Sequence, residues 1–568
     1  FGIMAVGAVA VPIDPKLTPG EIINLLRDSQ AKILFSSPEL FPSLKDLLKD
    51  IQGLKKTLLY PFPEITASKP AREINTADKS EWTASLLYTS GTTASPKGVM
   101  LTQKNFCSNF ESISKLNIVT AKDNIVSLLP LHHSYPFMVC LILPLLTGAK
   151  ITFLNSLKSE DLLKCLRETK GAILVGVPQL YHLLHKSILE KIGKPETLLS
   201  LLKIVNWTRR AFGLNLNKII LKKLHQRFGP SLRFFFSGGA RLEPKAAREL
   251  SLLGFNLLEG YGLTETSPVV TFTPPGSAKF GSAGLPIPGV KIKILNPNAE
   301  GIGEVLIKGP NVMQGYYNKP QESQEALKDG WFYSGDLGYI DKDGYLFLTG
   351  RSKEVIVLAS GKNIYPEEIE AYYLKDPYIK EICVLETSAG GSSSLYAVVL
   401  PDIEYFRKAK EVNIQGKIRW SLEDLSKGLP SYKRIMGWTL ARDEFPRTRL
   451  GKLKRYEIKA KYLAPLPKES PETVKTKEEA LPPADKLERQ IIEFLGRELK
   501  RKVSPSDHLE LDLGIDSLTR VELAIGLEKI FNLNLADTDM ADVFSVKELI
   551  EKIRCLLEQR QKIGDADK

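Results

Sequence analysis

Cysteine is scarce: Cys107, Cys140, Cys165, Cys383 and Cys555 are the five in 568 residues, and none forms a CxxC pair or lies beside a histidine cluster. That scatter excludes a disulfide framework and a Cys/His zinc site, and it fits a reducing, cytoplasmic compartment. Long hydrophobic runs are lacking too. The apolar residues 1–13 have no basic flank before them and no small-residue cleavage site behind, so they do not read as a signal peptide. The apolar run at 138–149 is interrupted by Pro144 and is too short for a bilayer. The chain opens mid-pattern without Met, so a missing N-terminal piece is expected. Neither a solenoid-length repeat nor a nucleic-acid-binding motif occurs, and nucleic acid is not an expected partner.

What is present is an ordinary globular composition, 43% apolar and 25% charged, which excludes wholesale disorder and an integral membrane protein. The length implies several domains. The formal net charge is +12, and residues 186–233 carry eleven Lys or Arg against two acids, interleaved with Leu, Ile, Trp207 and Phe212. Two readings of that stretch stay open. It is a solvated helix face, or it is a basic amphipathic surface that rests peripherally on anionic membrane.

From residue 1 to about 348, short β-rich runs (31–36, 150–154, 171–175, 232–236) alternate with longer helical stretches, which predicts α/β layering with substantial parallel sheet. Short strands and turns follow from 303 to 348, with Asp341-Lys-Asp-Gly344 reading as a tight hairpin. The domains expected are a large multi-sheet core (1–350), a small α+β subdomain (351–462), a Pro/Glu/Lys-rich linker (463–486) and an all-α four-helix domain (487–563). In the last of these, Leu518, Val521, Ala524 and Ile525 recur at helical spacing and predict the buried face of its second helix.

The first chemical motif is Tyr88-Thr-Ser-Gly-Thr-Thr-Ala-Ser-Pro-Lys-Gly98, placed after a strand-like run. Glycine lets the backbone approach a phosphate chain, the hydroxyls of Thr89, Ser90, Thr92 and Thr93 donate to its oxygens around Gly91, and Lys97 neutralises charge. It is not a Walker A loop, because Gly98 and Val99 follow the lysine where a Ser or Thr would bind magnesium. A surface turn is the bland alternative.

This string resembles the phosphate loop of the adenylate-forming superfamily of acyl-CoA synthetases, adenylation domains and luciferases. Four further strings resemble that family in order: Glu259-Gly-Tyr-Gly-Leu-Thr-Glu265, Tyr333-Ser-Gly-Asp-Leu-Gly338, Gly350-Arg-Ser-Lys-Glu-Val355 and Pro446-Arg-Thr-Arg-Leu-Gly-Lys-Leu-Lys-Arg455. The resemblance implies ATP and Mg2+ as cofactors. It places Glu259, Gly260, Tyr261 and Gly262 at adenine, Thr264 at the α-phosphate, Glu265 on magnesium, and Asp336 with Arg351 at the ribose. It makes Lys353 the hinge and Lys452 the catalytic lysine, a cation that meets charge building at the α-phosphorus. Taken singly, each has a plain alternative: a helix cap for Thr264 and Glu265, core packing for Tyr261, a surface lysine for Lys452.

Leu513-Gly-Ile-Asp-Ser-Leu518 resembles the attachment site of acyl carrier domains and implies a covalent phosphopantetheine on Ser517, where a helix start suits a phosphodiester. A phosphopantetheinyl transferase and a downstream acyltransferase or synthase become expected partners. The segment Leu131-His-His-Ser-Tyr-Pro-Phe137 has no acid to pair with a substrate ammonium, so an α-amino acid would bury an unpaired cation. With Gly238 in Ser237-Gly-Gly-Ala-Arg241, the pattern is closest to long-chain fatty acyl-CoA synthetases, and His132 and His133 either gate an acyl tunnel or pack in the core. The expectation is an acid–thiol ligase that activates a fatty acid and loads its own carrier, a separate carrier or CoA. An aryl- or amino-acid-activating module and a catalytically inactive binding module are the alternatives.

Overall fold

The computed structural model describes residues 2–60, 80–89, 96–156, 158–192, 195–212, 216–357, 363–387, 394–447, 453–463, 485–507, 517–533 and 545–566, with 509, 513, 515, 535 and 543 as single positions. The chain divides into two compact units, residues 1–353 with 447–452, and residues 354–446 with 453–568.

In the first unit, β1 (Ile33–Ser36) lies parallel to β2 (Lys56–Leu59), and β3 (Thr83–Thr89) pairs antiparallel with β4 (Lys97–Thr102). The main sheet holds β5 (Asn124–Ser127), β6 (Lys150–Phe153), β7 (Ile173–Gly176), β8 (Phe234–Ser237), β9 (Leu257–Gly262) and β10 (Val269–Phe272). Its order is β6–β5–β7–β8–β9–β10, closed at the edge by Leu285–Pro286; β6 to β9 run parallel and β10 antiparallel. The expected strands at 31–36, 150–154, 171–175 and 232–236 all form, to within two residues at each end.

Every residue of β5 and β7 is buried, as a parallel sheet covered on both faces requires. Successive side chains go to opposite sides: Ile173 and Val175 join Ile125, Phe236 and Leu258 in one core, while Leu174 joins Val126, Phe235 and Leu257 in the other. Each such side chain contributes about 1.5–3 kcal/mol on burial. The carboxyl ends of the parallel strands therefore form a fixed edge from which the motif at 259–262 emerges.

A second sheet is antiparallel: β11 (Lys291–Leu295), β12 (Gly303–Lys308), β13 (Trp331–Ile340) and β14 (Leu346–Arg351). The expected turn joins the last two. Asp341 Oδ1 accepts the backbone N–H of Asp343 at 3.0 Å and of Tyr345 at 2.9 Å, and Gly344 takes a φ of 86°.

Helices α1 (Pro195–Phe212) and α2 (Leu216–Ile220) lie in the basic stretch. Leu199 and Leu202 face inward, whereas Leu201, Ile204, Ile219 and Ile220 are exposed beside Lys203, Lys222 and Lys223. Among the described residues no helix is long and apolar enough to cross a membrane.

In the second unit, β15 (Ile379–Thr387) pairs antiparallel with β16 (Ser394–Pro401), which pairs parallel with β17 (Ile435–Leu440). Helices α3 (Pro366–Tyr373) and α4 (Ile414–Lys427) share its core through Ile369, Ile418 and Leu422, and α5 (Arg455–Leu463) packs through Ile458 on Cys383 and Val398. The C-terminal segment has a core of its own, built by α6 (Lys486–Glu498), α7 (Ser517–Phe531) and α8 (Val546–Ala566) around Leu495, Leu527 and Ile553. Of the linker expected at 463–486, residues 464–484 lie outside the described residues.

One expectation is corrected. Ala524 packs against the core as expected, but Val521 and Ile525 are 49% and 46% exposed, and the buried residues described in α7 are Arg520, Leu523 and Leu527. Both sets obey helical spacing, and the buried set contains an arginine, which disguised it. The Arg520 guanidinium is taken in because Nη1 donates to the Val543 carbonyl at 2.6 Å.

Candidate active site

The β3–β4 ladder brings Thr89 opposite Lys97, so the hydroxyl-rich string between them is held at both ends by strand pairing. Ser90, Gly91, Thr92 and Thr93 themselves lie outside the described residues. Lys97 ion-pairs with Glu322, and its ammonium lies 4.8 Å from the centre of the Tyr316 ring. That contact holds the lysine beside the loop until a stronger anion competes for it.

The motif at 259–265 runs off β9 into a short turn, Thr264–Thr266. Its glycines are dictated by crowding: a Cβ on Gly262 would lie 1.6 Å from the Pro268 carbonyl oxygen, and one on Gly260 would lie 3.1 Å from the Phe272 ring. Burial pushes the Glu259 carboxyl up to about 7, with the Arg241 charge and a Leu242 backbone hydrogen bond pulling it back. Thr264 Oγ1 is 3.1 Å from Ser134 Oγ, and Glu265 Oε1 accepts the Tyr316 hydroxyl at 2.9 Å.

Asp336 sits on β13 directly opposite Arg351 on β14. Its Oδ1 is 3.0 Å from Arg351 Nε, and its Oδ2 accepts the Tyr261 hydroxyl at 2.7 Å. Asp336 is only 6% exposed, and this pairing fixes its carboxylate while each oxygen retains a lone pair for a further donor. Tyr261, Asp336 and Arg351, far apart in sequence, are thus brought together in one hydrogen-bonded group.

Magnesium chemistry fits the oxygen donors present. Glu265 offers carboxylate oxygen at the turn, and a magnesium ion that is also held by nucleotide phosphates needs only one or two protein carboxylates. Among the described residues no cluster of three or more His, Cys, Asp or Glu forms a separate metal site.

The histidines of the 131–137 segment lie 4.2 Å apart between ring centres, with their planes tilted by 50°. Burial lowers the affinity of both for a proton, and with its neighbour's charge it takes His133 down to about 4, so both rings are neutral at pH 7. His132 Nε2 is 3.3 Å from Asp14 Oδ2. Gly238 lies against the Tyr135 ring, where a Cβ would come within 2.9 Å. Lys353 is exposed in the Ser352–Glu354 turn, where the first unit gives way to the second. Ser517 is the first residue of α7. Lys452 lies outside the described residues.

The structure adds residues that the motifs did not point to. Tyr316 and Glu322 reach the site from a segment without any signature, and no local pattern could have exposed them. Ser134 lies within the 131–137 segment, and its hydroxyl is the one signal the sequence carries for it.

Two family models match the chain. The model described as AMP-binding enzyme matches residues 1–317, and the one described as phosphopantetheine attachment site matches residues 485–553. The long-chain-fatty-acid–CoA ligase FadD15 of Mycobacterium bovis is 30% identical, over 73% of this chain and 72% of its own. The chloroplastic long-chain-fatty-acid–[acyl-carrier-protein] ligase AEE15 of Arabidopsis thaliana is 28% identical, over 71% of this chain and 67% of its own. Among solved structures, o-succinylbenzoate CoA synthetase of Bacillus subtilis with its acyl-adenylate superimposes with a TM-score of 0.64 at 26% identity, covering 80% of this chain and 84% of that one. An ATP-dependent ligase activity of the acyl-CoA synthetase type follows, and the chain belongs to the AMP-binding enzyme family, with a phosphopantetheine attachment domain at its C-terminal end.

Proposed function

We propose that this chain activates a medium- or long-chain fatty acid and passes the acyl group to the thiol of a phosphopantetheine on its own Ser517. The observation that carries this reading is the presence, in one chain, of the Tyr261–Asp336–Arg351 group and a segment matched as a phosphopantetheine attachment site. In the first step a carboxylate oxygen attacks the α-phosphorus of ATP and pyrophosphate leaves. Asp336 accepts from the ribose hydroxyls, Thr264 donates to the α-phosphate, Glu265 holds magnesium, and Lys452 meets the charge that accumulates as two anions approach. In the second step the thiol sulfur attacks the acyl carbon and AMP leaves, with Lys353 as the pivot of the small subdomain between steps.

A fatty acid suits the pocket segment, because residues 131–137 carry no carboxylate of their own to pair with a substrate ammonium. The relative named as an acyl-carrier-protein ligase supports a carrier as acceptor, and the one named as a CoA ligase supports free CoA. The fused attachment domain favours the carrier.

The test is ATP–pyrophosphate exchange over acids of increasing length, followed by intact mass measurement of the phosphopantetheinylated protein with ATP and acid. Exchange with fatty acids and acyl mass on the Ser517 peptide are expected; Lys452→Ala should lose about 10²–10³-fold in exchange while still binding ATP. Exchange confined to aryl or amino acids, or acyl-CoA released from a carrier that is never acylated, would overturn the assignment.

A further inference from the structure

We infer that Arg455 is a positioning residue, which locks the base of the lysine-bearing loop to the first residue after the hinge so that the two move as one body. The guanidinium opens α5 and is nearly enclosed, with 13% of its side chain exposed. It grips Glu370 of α3 with both terminal nitrogens, the Nη2–Oε2 distance being 2.8 Å. Glu370 Oε1 also accepts the Val384 N–H at 2.7 Å, which ties α3 to β15. The remaining donor, Nε, reaches Glu354 Oε2 at 3.2 Å.

Glu354 directly follows Lys353 and is the first residue of the second unit. On the other side of Arg455, the Lys454 N–H donates to the Pro446 carbonyl at 2.9 Å, pinning the two ends of the segment that contains Lys452. A planar guanidinium with a fixed fork is suited to this work, because it holds two carboxylates at set angles while its charge offsets theirs. The hinge-side carboxylate is the part not needed for burial. Glu370 alone satisfies the buried cation, and Glu354 is 24% exposed. The Glu354 arm therefore acts on geometry: it fixes the base of the loop against the first residue after the hinge.

The inference rests on the reading of Lys452 as the adenylating lysine, and the test separates the two. Removing Arg455 would strand buried carboxylates and unfold the subdomain, so the informative variants are at Glu354. In the full-length protein, Glu354→Ala is expected to reduce the ATP–pyrophosphate exchange kcat on the order of tenfold to a hundredfold, since small misplacements of a reacting group cost that much. The KM for ATP and the melting temperature should stay unchanged. Glu354→Gln, which keeps an oxygen acceptor for Nε, should restore most of the rate, and thiol transfer from supplied acyl-adenylate should be nearly normal in both. Lys452→Ala is run alongside. If that variant retains exchange, the reading of the lysine fails. If it is inactive while Glu354→Ala exchanges at the parental rate, or loses both half-reactions equally along with thermal stability, the positioning role is overturned.

Discussion

Glu259 occupies a place where burial and function pull against each other. Its carboxyl is lifted to about 7 by burial despite the nearby Arg241, so in the folded protein it holds its proton over a pH range in which the unfolded chain has released it. Between about 4.5 and 7 the folded state binds more protons than the unfolded state, and stability must fall as pH rises through that window, levelling above it. Glu259→Gln removes the ionisable group and leaves its shape. Melting temperatures of the two proteins should therefore agree near pH 4.5 and diverge toward pH 7, the variant being the more stable; parallel curves would mean that the carboxyl ionises freely. Asp336 is a second buried carboxylate. A neighbouring guanidinium and a phenol hydroxyl hold it in place, although its residue partners come from two other strands.

Helix α7 shows what periodicity can and cannot reveal. Leu523 and Leu527 are 5% and 0% exposed, and Leu527→Ala should cost about 2–5 kcal/mol, seen as faster amide hydrogen exchange throughout α6 to α8 in the full-length protein. Val521→Ala, on the outer face, should change exchange by no more than about 0.5 kcal/mol. Equal effects would restore the apolar stripe at 521 and 525 as the inner face. The sequence admitted both stripes because each is spaced correctly, and only tertiary contact, the seating of Arg520 on Val543, decides between them. The parallel strands were far easier to read. The runs at β7 and β8 are continuously apolar because both faces are covered, a pattern with little competition from amphipathic helices at that length. The glycine-bearing motifs were legible for a related reason: at Gly262 any other side chain meets backbone, so the residue type itself records the contact. Tyr316 and Ser134 carry no such record, since their partners lie 51 and 130 residues away.

At the scale of the whole molecule, the chain first passes from one compact unit to the other between Lys353 and Glu354, the proposed pivot, and it crosses again at 446–447 and at 452–453. Lys353→Pro fixes φ at that junction, and the expected result is a strong loss of one half-reaction with the other largely kept. Pyrophosphate exchange and thioester formation from supplied acyl-adenylate report the two separately, and equal losses in both would remove the pivot from this position. The closed pair Pro446–Lys454 adds a limit to such motion. Lys452 is only two residues from that anchor, and an extended chain gains at most about 3.6 Å per residue, so its α-carbon swings within roughly 7 Å of a fixed mount. On the role proposed for Lys452, covalent length alone makes its cation a pendant on a short leash, and its delivery to the phosphate depends on where that mount is carried.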